Sequence, residues 1–578
     1  MRKTLFAAIV LFTLSAAAAP VRAKTVLETD ERISAIREEA ESLVLIQSVL
    51  SWYSRTQGEE SILELTYRGH EGLFRKENAL YIEKLLSEKG GELSGEERRA
   101  LKFLRDYVAA EYIGLDTAHF DDEINNAEAE AKVTVDFMAG EIAYRDLNGL
   151  LDNEKDPDNR KKLQAAQASV WEKVLNPIHE RMEERVRELA VEFGYSDYVA
   201  MSEELRWVNL KELIRVSQEY ISESDALYRG LLEKEVREVM GFPLEKFSRS
   251  DIGYFAQVPY FTPYFPAELV VPAFRYFIEG IGLDLTTAAG TQILIDEEKR
   301  PKKHPRAACY SIRVPRDIRV TVKPSSGVPD FETFFHEGGH ALHFGNTAAG
   351  TWEFQELGNN AVTEAYAIFF ENMWGNPGWL NRYRELVRDY NRLIAPAGAV
   401  PELTDADVGK LLRNRAFWNV YFVRRYNGAK LLYESILHGG DESYYRDYYK
   451  GQTEDLQEVY RALFSDAYGF ALTPADALRF RTDVDAFFYS ADYARAFFLA
   501  AQLEEGLEKM FGGDWFENPA AGKFLREKLW ATGNMLQADE VARELGYGGV
   551  DAGAFRRRVE RMLKQSGDLM KEGAGGRQ

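Results

Sequence analysis

The stretch FETFFHEGGHALHF, residues 331–344, sets two histidines four positions apart, with a glutamate directly after the first. Four residues make about one helical turn, so His336 and His340 share a face and Glu337 projects beside them. Two imidazoles placed this way can meet one zinc ion at ~2.0–2.1 Å, with the adjacent carboxylate set to act as a general base. Gly338 and Gly339 fill the gap between Glu337 and His340. Each costs a helix about 1 kcal/mol relative to alanine. The pair therefore implies that something comes close to that turn, another helix or a substrate.

Working outward, Asp330 after Pro329 reads as the helix N-cap, with Glu332 in the first turn. Immediately upstream, RAACYSIRVPRDIRVTVKP (306–324) holds two short β-branched runs around Pro315-Arg316-Asp317, a hairpin signal. Downstream, ELGNNAVTEAYAIFFENMWGNPGW (356–379) reads as a second helix that starts after Asn360 and stops at Gly375 and Pro377. Catalytic zinc takes three protein ligands and keeps one position open. Glu364 lies 24 residues after His340, enough chain to turn back and pack antiparallel to the first helix, and is the expected third ligand. Glu371, two turns on, suits the orientation of a ligand better than ligation. Glu353 and Glu356 are expected to be solvated. His343, one turn past His340, is a candidate to support the ligands, whereas His70, His119, His179 and His438 read as structural.

Most of the remaining chain has helical periodicity: 158–195 with an interruption at Pro177, 206–240, 381–395 and 522–545. No sustained heptad, fixed-period repeat or low-complexity linker occurs, and the tail KEGAGGRQ is expected to fray. The reading is a mainly α fold with one small sheet beside the histidine helix. The chain has 578 residues, 45% of them apolar, and a net charge of −21, which excludes nucleic acid as a partner because phosphate binding needs a basic footprint. Residues 1–23 read as a signal peptide: Met1-Arg2-Lys3, an apolar run from Leu5 to Ala19, and Val21-Arg22-Ala23 before a cut at Lys24. The expectation is an exported protein, periplasmic or extracellular, free of the membrane once the signal is removed. A single cysteine, Cys309, rules out an intrachain disulfide.

FFHEGGHALHF followed by TEAYAIFFENMW resembles the glutamate-zincin peptidases of the thimet oligopeptidase/oligoendopeptidase family. In that family the glutamate of the second motif is the third zinc ligand, followed seven residues on by a Glu-Asn pair; Glu364 and Glu371-Asn372 match. DEEKRPKKHPRAACYSI (296–312) is similar to the family's basic segment running into a strand. DAFFYSADYARAFF (485–498) is similar to its tyrosine-bearing helix, and FLREKLWATGNMLQADEVARELGYGGVD (524–551) to its C-terminal signature. The motifs cover the second half of the chain, and the first half agrees only in helical character.

The resemblance implies a large two-lobed helical zincin with a deep channel, divided into a helical half over 24–290 and a catalytic half over 291–578. It implies one zinc ion on His336, His340 and Glu364, Glu337 as general base, and Tyr489 and Tyr493 as oxyanion donors. Ala307, Ala308 and Cys309 are expected on an edge strand that receives the backbone of a short, unfolded peptide, and the protein is expected to be a monomer. Helical metallocarboxypeptidases and the angiotensin-converting-enzyme type, which remove C-terminal residues, are near alternatives, and a non-catalytic zinc-scaffold peptide binder is another. One family feature is missing. None of the eight histidines lies after His438, so the C-terminal histidine donor has no counterpart. Arg481 is the candidate stand-in, and Asp483 with Asp485 could read a basic substrate group.

Overall fold

The computed structural model describes residues 25–304, 306–394, 399–451 and 453–575. The signal segment and its cleavage position lie outside these residues. The elements that build the site are α1 (Glu31–Gln57), α2 (Gly95–Glu130), α3 (Leu210–Met240), α4 (Val270–Gly280), β1 (Leu294–Asp296), β2 (Ala308–Arg313), β3 (Asp317–Thr321), α5 (Val328–Gly345), α6 (Ala361–Glu371), α7 (Asp405–Val423), α8 (Tyr489–Phe511) and α9 (Gly553–Gly575). Helices dominate and the expected mainly α class holds.

Local chemistry sets the helix ends. Asp30 caps α1 by accepting from the Arg32 and Ile33 amides, and Gly58 closes it in the left-handed region at φ 71°. A Ser94/Glu97 capping box starts α2. Asn209 caps α3, and Gly241 ends it at φ 72°. In the 158–195 segment a π-turn over Trp171–Leu175 sits just before Pro177, so the interruption is a bulge between two helices.

Three expectations about elements are corrected. Residues 522–545 are not one helix: the chain breaks at Gly533 (φ 59°), where a side chain would collide with the Phe354 carbonyl, and resumes at Ala538. Asp330 is not the N-cap of α5. The helix begins at Val328 after Gly327, and Asp330 sits inside the first turn, accepting from the Ser325 and Ser326 amides. The tail expected to fray from Lys571 continues as helix to Gly575.

The hairpin forms as read, β2 antiparallel to β3, with Cys309 opposite Val320 and Tyr310 opposite Arg319. Sequence reading missed β1, which pairs in parallel with β3. The order is β1-β3-β2, leaving β2 at an edge. Lys303 is buried beneath the sheet, donating to the carbonyls of Asp296, Glu298 and Val322 at 2.7, 3.0 and 2.9 Å.

Two large cores are present. One draws on residues from Tyr220 to Met562 and holds Phe331, Phe335, Phe370, Trp374, Trp379 and Trp515. The other draws mainly on Leu27 to Ile214, but Trp352, Phe354, Leu431, Phe488, Ala491 and Ala494 join it from far along the chain. Among the described residues no helix is long and apolar enough to cross a membrane.

His438 lies in the second of these regions, 4.6 Å from the Tyr198 ring and 5.7 Å from Phe488, with neither ring nitrogen hydrogen-bonded. Burial, with Arg187 adding to it, lowers its pKa from 6.5 to about 3. A depressed folded-state value means that stability present above pH 6.5 is lost as pH falls toward 3, on the order of 3–5 kcal/mol in full. His438→Leu should flatten the fall of the urea midpoint between pH 7 and pH 4. An unchanged slope would place the acid sensitivity elsewhere.

Candidate metal centre

The paired glycines are explained by what flanks them. A methyl group on Gly338 would overlap the ring of Phe274 on α4. One on Gly339 would stand 2.8 Å from Ala367 Cα and 2.9 Å from the Tyr366 carbonyl, both in α6. The close approach is therefore made by helices on two sides, and it brings the backbone of α6 against the turn that carries both histidines.

Across that contact the three expected ligands converge. His336, His340 and Glu364 offer donor atoms that all lie within 4.8 Å of one another. Glu364 Oε2 is 3.4 Å from His336 Nε2 and 3.7 Å from His340 Nε2. Tetrahedral ligands at ~2.0–2.2 Å from a zinc ion stand about 3.3–3.6 Å apart, so the spacing fits. Glu364 Oε2 is buried with no hydrogen-bond partner, a costly arrangement unless a cation satisfies it.

Each ring is oriented from its far side. His336 Nδ1 donates to the Glu371 carboxylate at 3.1 Å, and His340 Nδ1 shares a hydrogen bond with Thr363 Oγ1 at 2.8 Å. An imidazole that donates through Nδ1 presents its Nε2 lone pair, as a metal ligand must. Glu371 also faces Arg415 at 3.6 Å, and Arg415 pairs with Glu332 at 2.6 Å. Burial opposes charge on His336, yet Glu364 and Glu371 raise its pKa well above the ordinary value. Burial lowers that of His340 against the pull of Glu364. Glu364 is itself buried, but His340, His336 and Tyr489 hold its carboxyl down at about 2.

Glu337 faces the edge strand: the Cys309 amide donates to its Oε2 at 2.7 Å. That amide points away from β3, so one of the free edge groups expected to meet a peptide is engaged by the carboxylate. Ala307 is buried, and Ala308 and Cys309 are half-buried. Burial and the Glu337 charge push the Cys309 thiol far above its usual range.

The two tyrosines are not equivalent. Tyr489 donates to Glu364 Oε1 at 2.6 Å, bracing a candidate ligand. Tyr493, one turn on, packs on Tyr426 at 4.8 Å between ring centres, and its hydroxyl has no hydrogen bond among the described residues. Both are raised by burial and by Glu364. Two consecutive left-handed residues, Phe487 (φ 49°) and Phe488 (φ 54°), precede Tyr489. Arg206 holds this turn, donating to the Phe487 carbonyl at 3.0 Å, pairing with Asp492 at 2.8 Å and stacking over the Tyr489 ring. Asp492 also accepts from the Asn360 amide at the start of α6.

Other expectations need correction. Arg481 is not available as an oxyanion donor, because it pairs with Glu183 and Glu180. Asp483 is buried against Arg425 and the Tyr460 hydroxyl, and Asp485 pairs with Lys430 at 2.6 Å. Glu353 and Glu356 are not solvated: Glu353 is fully buried with Arg37, and Glu356 accepts from the Val314 amide at 2.9 Å. His343 faces the Gly533 carbonyl and the Tyr366 ring rather than the ligands. Thr363, Arg415, Arg206 and Asp492 were missed. Thr363 alone carried a local signal, its position beside Glu364.

No protein-family model matches the chain, and no curated protein matches it.

Gly338→Ala and Gly339→Ala should each lower stability by about 1–3 kcal/mol, since overpacking outweighs the gain in helix propensity. Phe274→Leu should restore the first and not the second, whose obstacle is backbone. A double-mutant cycle in urea checks this; equal rescue of both would refute the two-sided contact.

Proposed function

We propose that this chain is a zinc-dependent peptidase of the glutamate-zincin type, similar to the thimet oligopeptidase/oligoendopeptidase family, hydrolysing short unfolded peptides after export. The observation that carries the reading is Glu337, held by the Cys309 amide next to three convergent ligand groups. A pure metal scaffold has no chemical need for that carboxylate. Two histidines and one carboxylate also suit non-haem iron, but a base beside the triad favours hydrolysis. Export rests on the N-terminal segment alone.

His336, His340 and Glu364 would hold a zinc ion, which when bound would supply Lewis acidity at the scissile carbonyl. Glu337 accepts the proton of the attacking water and returns it to the leaving amine. Tyr493, with its hydroxyl uncommitted, donates to the oxyanion as it develops. Tyr489 keeps Glu364 ionised and oriented. Glu371 keeps the His336 imidazole in the ligating tautomer, Thr363 positions the His340 ring, and Arg415 balances the charge of Glu371 against that of Glu332. Arg481, the candidate stand-in for the family's C-terminal histidine, is committed to Glu183 and Glu180. Tyr493 therefore carries that contact without it.

Purified mature protein should hold one zinc, lost by orders of magnitude in affinity in His336→Ala or Glu364→Ala. Glu337→Gln should retain zinc while peptide cleavage drops at least ~10²-fold. Full zinc in both ligand variants, or undiminished turnover in Glu337→Gln, would sink the reading.

The two tyrosines should separate. Tyr493→Phe lowers kcat by ~10²–10³ with little change in KM, whereas Tyr489→Phe chiefly weakens zinc affinity. Matching losses of kcat at normal zinc content in both variants would mean that Tyr489 is also a donor.

A further inference from the structure

α7 runs past Val423 into a π-helical stretch, Arg424–Lys430, and on into a short helix, Leu431–Leu437. Stretches of that kind interrupt the regular helical register and recur at functional sites. This one lies against α8. Tyr426 packs on Tyr493 at 4.8 Å between ring centres, and Asn427 Nδ2 donates to the Ala494 carbonyl at 3.2 Å. No residue from 424 to 437 has a part in the proposed ligation or chemistry.

Three charged side chains from these two elements reach the segment that leads into Tyr489. Arg425 pairs with Asp483, and Lys430 pairs with Asp485 at 2.6 Å. Glu434 spans the turn itself. Its Oε1 accepts from the Asp485 amide at 2.9 Å, and its Oε2 accepts from the Ser490 hydroxyl. The two left-handed residues, Phe487 and Phe488, lie between those anchors. Arg206 and the Tyr198 hydroxyl hold the same turn at Phe487.

Glu434 does not serve a helix end. α8 starts after Phe488, and neither the Asp485 amide nor the Ser490 hydroxyl is one of the orphan amides of its first turn. Placing a carboxylate here is costly: the residue is 0% exposed, and burial pushes its carboxyl up against the pull of Lys430, 3.7 Å away. What the carboxylate gains is two charge-assisted bonds to residues five apart, across a turn that would otherwise relax. Tyr489 sits between Phe488 and Ser490, and its hydroxyl is 2.6 Å from Glu364 Oε1. A shift of the 485–490 segment therefore moves the hydroxyl that braces Glu364.

We infer that Glu434 is a positioning residue for the metal centre: by clamping Asp485 and Ser490 together it sets where Tyr489 meets Glu364. This rests on the peptidase reading, in which Glu364 is the third zinc ligand, and deepens it.

The test measures zinc affinity by chelator competition on the full chain. Ser490→Ala and Glu434→Gln should each weaken zinc about 3–10-fold, less than the loss of a group that touches a ligand directly. In a Tyr489→Phe background the same changes should alter zinc affinity by less than about 2-fold, because the link they act through is already gone. A merely structural role lowers the urea midpoint and leaves the zinc affinity of the folded protein untouched. Where Glu434→Gln does not fold, Ser490→Ala, which keeps every charge in place, decides. Parent-like zinc affinity in the variants, or losses that persist undiminished in the Tyr489→Phe background, would overturn the inference. A parent that binds no zinc would sink the peptidase reading instead. The clamp is then read from amide exchange in the zinc-free chain, where either variant should speed exchange over 485–490 at least ~10-fold with the C-terminal part of α8 unchanged. Equal rates there would overturn the clamp as well.

Discussion

The contact between α5 and α6 at Gly339 is the constraint on which the site depends. Removing one methyl group lets the backbone at Tyr366 and Ala367 lie against the turn between His336 and His340. That spacing sets how far Glu364 and Thr363, one turn earlier in α6, can reach toward the imidazoles. Phe274, pressed against Gly338 from α4, prevents α5 from retreating. The aromatic core around Phe335, Trp374 and Trp379 then fills the space behind both helices. A packing requirement and a ligation requirement are met by the same two residues.

Around that contact the protein buries a chain of charged groups that lean on one another. His336 leans on Glu371, Glu371 faces Arg415, and Arg415 satisfies Glu332, whose pKa burial nonetheless pushes up to about 8. Removing one member of such a chain leaves the next uncompensated, so the arrangement is rigid rather than strong. Rigidity is what a site gains from it, because ligand geometry tolerates little drift.

What was legible in the sequence was local. The i,i+4 histidines, the helix bearing Glu364 and the β2–β3 hairpin follow from periodicities of 3.6 and 2 that a few residues display by themselves. What was not legible came from residues distant in sequence. Glu353 looked solvated because Arg37, its partner on α1, is 316 positions away. Arg481 looked available because Glu180 and Glu183 lie 301 and 298 residues upstream, and the break at Gly533 exists because the Phe354 carbonyl crosses there. The three residues of β1 are too few to display a period.

The segment leading into Tyr489 shows why the first half of the chain matters to a site whose candidate ligands, His336, His340 and Glu364, lie in the second. Phe487 and Phe488 both occupy the left-handed region, which non-glycine residues leave unless held. The restraints come from residues of the first half: the Tyr198 hydroxyl accepts from the Phe487 amide at 2.7 Å, and Arg206 grips the Phe487 carbonyl and Asp492. Phe488, Ala491 and Ala494 pack into the N-terminal core, whereas Tyr493 packs against the C-terminal one. α8 therefore has one face in each core, and Tyr489 reaches Glu364 only while both cores grip it. Arg206 extends the same logic to Asp492, which holds the Asn360 amide at the first turn of the ligand helix. The N-terminal half thus helps fix the angle at which Glu364 is presented to the two histidines.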